Sequence, residues 1–204
     1  MTAISTFDST SARAESLITL HSLLDDAQKA AMPDSRDLLR SAISLSVAGM
    51  DAYFTDRFAE SLVRFLKKRG ATSGLTTLLS EAGLNTKVAL EMLTMQRPYR
   101  RIRTIVEKRL SEYTTQKQAV IDALFLVYGV KDLCRHAEGL SKRKTLLKSV
   151  NNVVLRRHSI VHGGDLNSHN RARLISEEMA KRYIKDIDLF VHSAEALLVK
   201  SLRI

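Results

Sequence analysis

Arg157-His158-Ser159-Ile160-Val161-His162-Gly163-Gly164 reads as the closing turns of a helix that carries a charge inside its apolar stripe. Val153 and Val154 stand one turn before Arg157, and Ile160 and Val161 one turn after it, a spacing that puts them on neighbouring positions of one face. Gly163-Gly164 supplies the left-handed ending that helices favour. A permanently charged guanidinium is costly to take out of water unless a carboxylate or a phosphate answers it. Arg157 is therefore expected mid-stripe on a buried face, and the stretch marks both a helical fold and a functional site.

Outward from this helix, expected from about Lys142 to His162, the periodicity stays helical almost throughout. Leu17, Leu20 and Leu24 define a first helix, and Pro33-Asp34-Ser35 breaks it and caps the next. A long helix from about Ser35 to Arg69 sets Leu39, Ile43, Val47, Phe54, Phe58, Leu62 and Phe65 on one stripe, and the segment Gly70 to Gly74 ends it. Residues 75–95 are less regular, with short helical pieces around Gly83. Pro98 suits the first turn of a helix reaching Tyr113. One further helix is expected from Gln116 to Ala137, carrying Val120, Leu124, Val127 and Cys134. Asp165 to Ile175 reads as an irregular loop, and Ser176 caps a last helix with Glu177 and Glu178 in its first turn. Its stripe is Met179, Tyr183, Ile187, Phe190, Ala194, Leu197 and Leu198. No alternating strand pattern, fixed-period repeat or low-complexity linker interrupts the series. The expected fold class is all-α, an antiparallel helical bundle over residues 1–204 as one domain, with an additional N-terminal helix and a short, less regular helical insert at about 70–115.

Composition bounds what such a bundle does. The chain has 204 residues, 45% of them hydrophobic and 5% aromatic, enough for a sizeable core. Its longest nearly apolar run, Ala119 to Val130, is interrupted by Asp122 and falls short of the roughly 20 residues that span a bilayer. No membrane span and no secretory signal are expected, and the lone Cys134 suits a reducing cytoplasm. Charge is uneven: residues 1–60 carry five basic and nine acidic side chains, the remaining 144 carry 27 and 13. Arg97, Arg100, Arg101 and Arg103 form the densest basic segment, and Lys142, Arg143 and Lys144 a second, both candidates for binding an RNA backbone. Tyr99 among those arginines could stack on a base. Each patch can equally be a solvated helix face.

Asp51 interrupts the long-helix stripe as Arg157 interrupts its own, with Val47 and Ala48 behind it and Phe54 ahead. The two are expected to answer each other as a buried pair, which by itself needs no chemistry.

These residues carry a resemblance. Arg157-x4-His162, with polar His158 after the arginine and Gly163-Gly164 after the histidine, resembles the Arg-x4-6-His motif of the HEPN superfamily. The segment Leu38 to Phe54 is similar to the helix that supplies an acidic partner, here Asp51, in HEPN domains. Tyr128-Gly129-Val130-Lys131 and the final amphipathic helix resemble the branch named for RiboL-PSP proteins. The resemblance covers residues 35–69 and 116–202. It implies a helical bundle, dimerisation through the motif helix and, in many members, metal-independent cleavage of RNA in toxin, stress or antiphage-defence roles. Other members have lost cleavage and act as dimerisation, RNA-binding or partner-binding modules, and an antitoxin or defence protein is an implied partner.

RNA brings its own nucleophile, the 2′-hydroxyl, so such an enzyme needs only to deprotonate it, stabilise the phosphorane and protonate the leaving 5′-oxygen. Arg157 offers a planar fork of donors to the phosphate. His162, or His158 one turn from it, is the acid or base. Positions 157 and 162 lie about 140° apart on an ideal helix, so one chain is not expected to point both groups one way, and a two-fold dimer supplies a shared cleft. A metal reading uses the same atoms: His158 and His162 have the spacing of two ligands on one face, with Asp165 and His169 near in sequence, but Ser159 stands where a His-Glu-x-x-His motif needs its glutamate. No metal or other cofactor is expected. His21, His136 and His192 lack a nucleophile partner, Asn167 sits in a linking loop, and no nucleophile elbow or P-loop occurs.

Overall fold

Apolar residues at three- and four-residue spacing wind most of the chain into helix. The computed structural model describes residues 2–32 and 34–203. Among them ten helices follow in order: α1 (Ala3–Leu23), α2 (Asp26–Ala31), α3 (Asp37–Arg69), α4 (Ser73–Glu81), α5 (Thr86–Met92), α6 (Pro98–Leu110), α7 (Gln118–Leu126), α8 (Leu133–Ser141), α9 (Leu146–Gly163) and α10 (Glu177–Leu202). The all-α bundle is as the periodicity predicts. No helix among the described residues is long and apolar enough to cross a membrane.

The 33-residue α3, about 50 Å long at 1.5 Å per residue, is the pillar. Helix α1 lies along it, α10 packs against α1, α3, α8 and α9, and α6 and α9 each rest on α3. Every residue of the predicted α3 stripe is buried. Around Phe54 gather Tyr53, Phe125 and Phe190, with ring centroids 4.9, 6.1 and 5.6 Å away. Tyr128 stacks on Phe58 at 4.4 Å and donates its hydroxyl to the Phe58 carbonyl at 2.8 Å. Close approach of α1 needs a glycine: a Cβ at Gly49 would stand 3.0 Å from Thr10 Cγ2.

Three expectations are corrected. The buried face of α1 is Ala3, Phe7, Ser11, Ala14, Ile18 and His21, whereas Leu20 and Leu23 are exposed and Leu24 lies past its end. Small residues let α1 sit against α3, so a stripe chosen by leucine alone picks the wrong side. The single helix expected over 116–137 is two, α7 and α8, because Gly129 at φ 81 and Asp132 at φ 48 turn the chain between them. Pro33 lies outside the described residues. The first helix ends at Leu23, ten residues before Pro33 and with α2 between, while Asp34-Ser35 does precede α3: Asp34 Oδ1 accepts from the backbone N–H of Arg36, the residue at the N-cap position, at 3.0 Å and from Arg36 Nε at 2.7 Å. That hydrogen bonding to Arg36 holds the Asp34 carboxyl down at about 2. The predicted ends of the last two helices are found, Gly164 at φ 60 closing α9 and Ser176 accepting from the Met179 N–H at the start of α10.

Candidate active site

The stripe Leu146, Val150, Val153 on α9 is buried, and its continuation is Arg157. Here the bundle opens. The connection between α6 and α7 turns back onto α3, so that the Thr115 hydroxyl lies 2.5 Å from Asp51 Oδ1 and Gln116 Nε2 donates to Oδ2 at 2.9 Å. Beyond Val153 the cover over α9 is partial, with Val154, Arg157 and Ile160 half-buried and Leu155, His158, Val161 and His162 exposed. Two adjoining hollows of about 480 and 640 Å³ result, sharing Asp51, Ser111, Tyr113, Gln116 and Arg157.

The two hollows differ in charge. One has Asp51, Asp56 and Glu107 on its walls, with burial and the neighbouring Glu107 raising the Asp56 carboxyl above its ordinary range. The other is lined by Lys117, Arg157, His158 and His162. Arg157 stands at the boundary, half-buried, and among the described residues it makes no ion pair and no hydrogen bond. The expected Asp51–Arg157 pair is therefore absent: Thr115 and Gln116 already occupy the Asp51 carboxylate. A cation beside a cleft wide enough for a nucleotide is open to an anionic guest.

The imidazoles are placed on one face, as their four-residue spacing predicts. His158 and His162 stand one turn apart with ring centroids 4.4 Å apart, both on the cleft that Arg157 enters. Although positions 157 and 162 lie about 140° apart on an ideal helix, a single chain lines one cleft with all three residues.

The buried cation of α9 is its neighbour. Arg156, with an 11% exposed side chain, reaches Asp165 Oδ2 at 2.6 Å, and Arg40 Nε reaches the same oxygen at 3.2 Å. Asp165 is fully buried, and Arg40 also binds Asp34 at 3.0 Å and Asp37 at 2.8 Å. Asp165 thus faces inward to two guanidinium groups, away from any site with His158 and His162. Among the described residues no three His, Cys, Asp or Glu side chains converge as metal ligands do.

Of the basic candidates, Arg97, Arg100 and Arg101 are exposed on α6 or at its cap, while Arg103 is held by Glu107 at 2.7 Å. Lys142 and Lys144 are exposed at the far end of α9, about 25 Å along the helix from His162. Arg143 instead pairs with the buried Asp186 of α10. Tyr99 has Lys67 Nζ 5.0 Å over its ring. His21 binds Glu177 at 2.8 Å, His136 the Lys131 carbonyl at 3.2 Å, and His192 bridges Asp8 and Asp188. Asn167 closes its own loop, its side-chain oxygen accepting from the N–H groups of His169 and Arg171. Lys117, Tyr113 and the Thr115-Gln116 pair were not anticipated as cleft residues; nothing in their own sequence distinguishes them from a helix connection.

No curated protein and no solved structure matches the chain. A family model described as RiboL-PSP-HEPN matches residues 8–200, from within α1 to near the end of α10, and so takes in the 70–115 segment that the motif resemblance did not reach. The family is compatible with a nuclease or RNA-related role. On that match, joined to the helical bundle and to an Arg-x4-His helix end that opens on a cleft, the chain belongs to the RiboL-PSP-HEPN family.

Proposed function

We propose that the chain is a metal-independent endoribonuclease that cleaves RNA by attack of the 2′-hydroxyl on the adjacent phosphate. The observation that carries this reading is the meeting of an unpaired guanidinium and two touching imidazoles in one open cleft. A phosphate beside Arg157 would find a fork of donors for the charge that builds on its equatorial oxygens. Imidazole is the side chain that exchanges protons near neutral pH. With His158 and His162 in contact, one accepts the 2′-hydroxyl proton while the other, already protonated, gives its proton to the leaving 5′-oxygen. The products are a 2′,3′-cyclic phosphate and a free 5′-hydroxyl. Lys117 at the rim draws in the RNA backbone, and Arg97, Arg100 and Arg101, exposed on α6 or at its cap, add to the positive field of the molecule.

The test is incubation of the purified protein with total RNA in a chelator, followed by mapping of the product ends. Cyclic phosphate termini are expected, and His162→Ala is expected to lower the rate ~10²–10⁴-fold. Unchanged cleavage by that variant would remove His162 from the mechanism, and intact RNA with the wild-type chain would leave a non-cleaving binding module as the reading. A cytoplasmic role in stress, toxicity or antiphage defence suits this activity, and toxicity on expression that His162→Ala relieves would support it.

The same helix end is proposed as a dimer seam. Leu155 and Val161 on α9 and Leu174 after it are 58, 50 and 78% exposed, an apolar margin beside the cleft that a second copy would cover. Light scattering is expected to give twice the chain's 22.9 kDa, and Val161→Asp the monomer mass. A monomeric wild type would end this part of the proposal.

A further inference from the structure

The last turn of α9, on which His162 sits, is closed from beyond the helix. The Ser159 carbonyl accepts from the N–H of Gly164 and from the N–H of Asp165, the latter at 2.9 Å. Both donors belong to residues in the left-handed region, Gly164 at φ 60 and Asp165 at φ 57. A non-glycine residue holds that conformation at a cost unless something fixes it. For Asp165 the fixing contacts are explicit. Its carboxylate is sealed from water between Arg156, nine residues earlier on α9, and Arg40 of α3, while its carbonyl accepts from the Arg173 N–H at 2.8 Å. Arg40 donates in turn to the Arg173 carbonyl at 2.9 Å.

Arg40 and Asp51 are eleven residues apart on α3, within about 20° of the same face. One face of α3 therefore carries both Asp51, which lines the hollows that Arg157 lines, and Arg40, which holds the Asp165 carboxylate just beyond the helix end. The second carboxylate oxygen of Asp165 has no hydrogen-bond partner among the described residues, although it is buried. Stability alone does not call for such an arrangement, since well-packed apolar groups of similar volume commonly serve as well as a buried ion cluster. What the charged cluster adds is direction, because a carboxylate held by two guanidinium groups from two helices has one position.

We propose, on the ribonuclease reading, that Asp165 is a positioning residue: clamped by Arg156 and Arg40, it sets the last turn of α9 and with it the orientation of the His162 imidazole toward the phosphate at Arg157. It touches no substrate. Its effect is on how often the imidazole stands in line, and a displacement of about 1 Å at such a group costs about 10²-fold in rate.

The test is Asp165→Asn, which keeps the size and tolerates the left-handed backbone but removes the charge. Its kcat is expected to fall about 10²-fold with KM within about twofold of the wild type. Its melting temperature is also expected to fall, because Arg156 loses its counter-charge. Adding Arg156→Met to Asp165→Asn removes the uncompensated cation, and the double variant is expected to regain thermal stability but not kcat. Recovery of both together, or a wild-type kcat in Asp165→Asn, would overturn the assignment and leave a purely structural cluster. Should the wild-type chain cut no RNA, the ribonuclease reading falls by itself and the positioning claim is still read by NMR. The His162 Cε1–H resonance is then expected to move in Asp165→Asn while that of His192, on α10, stays; an unmoved His162 signal would refute it.

Discussion

Arg157→Ala is expected to abolish RNA cleavage, by about 10³-fold or more, and to leave thermal unfolding within a degree or so of the wild type. Both halves follow from one geometry. The guanidinium stands half-buried at the junction of two hollows with no ion pair and no hydrogen bond among the described residues, so removing it breaks no protein contact of that kind. It also leaves no carboxylate stranded, because Asp51 is already satisfied by Thr115 and Gln116. Substitution at such a site usually changes stability by no more than about 0.5 kcal/mol. Loss of charge stabilisation in the transition state has no such compensation, since Lys117, which also lines the cleft, presents a single ammonium rather than a planar fork. Arg157→Lys separates the two contributions: a point charge keeps RNA binding but not the two-pronged geometry, so kcat falls more than KM rises. The measurement is single-turnover cleavage of a defined oligonucleotide alongside a melting curve. Full cleavage by Arg157→Ala would remove the arginine from the mechanism, and a large loss of melting temperature would mean that it is held by contacts other than ionic ones.

Much of the fold was legible because it rests on local periodicity. The α3 stripe from Leu39 to Phe65 repeats at helical spacing over about seven turns, and each of its predicted residues is buried. Ser176 acts through its side-chain oxygen on the N–H three residues on, and Gly164 through its left-handed backbone, both of them local effects. Where partner choice decides, the sequence alone misleads. Helix α1 buries Ala14 and Ser11 and exposes Leu20 and Leu23, because close approach to Gly49 of α3 outweighs side-chain hydrophobicity. The break between α7 and α8 turns on Gly129, whose positive φ no periodicity reveals. The site shows the same division. That Arg157, His158 and His162 belong together was readable from the motif, whereas the partner of Asp51 was not, since Thr115 is 64 residues away.

The neighbouring arginine gives the opposite expected result. Positions 156 and 157 differ by 100° on the helix, and a wheel drawn from Val153 and Ile160 does not say which of the two the bundle will enclose. Enclosure is decided by Asp165 nine residues later and by Arg40 from α3, both of which converge on Arg156. Arg156→Ala is therefore expected to lower unfolding stability by about 3 kcal/mol, the lower end of the range for breaking a buried ion pair, because Arg40 remains to answer part of the Asp165 charge. The loss should appear as a shift of the denaturation midpoint with the slope unchanged. Arg156→Met should recover part of it by filling the space the aliphatic stem occupied. A further carbonyl contact, from Arg156 to Leu174 at 3.2 Å, predicts that the 165–175 loop loosens in either variant and becomes the first site of proteolysis. Since the same loop carries the apolar margin at Leu174, weakened self-association should accompany the loosening, even though no residue of the seam has been changed. An Arg156→Ala protein as stable as the wild type would show that Arg40 alone suffices to hold Asp165.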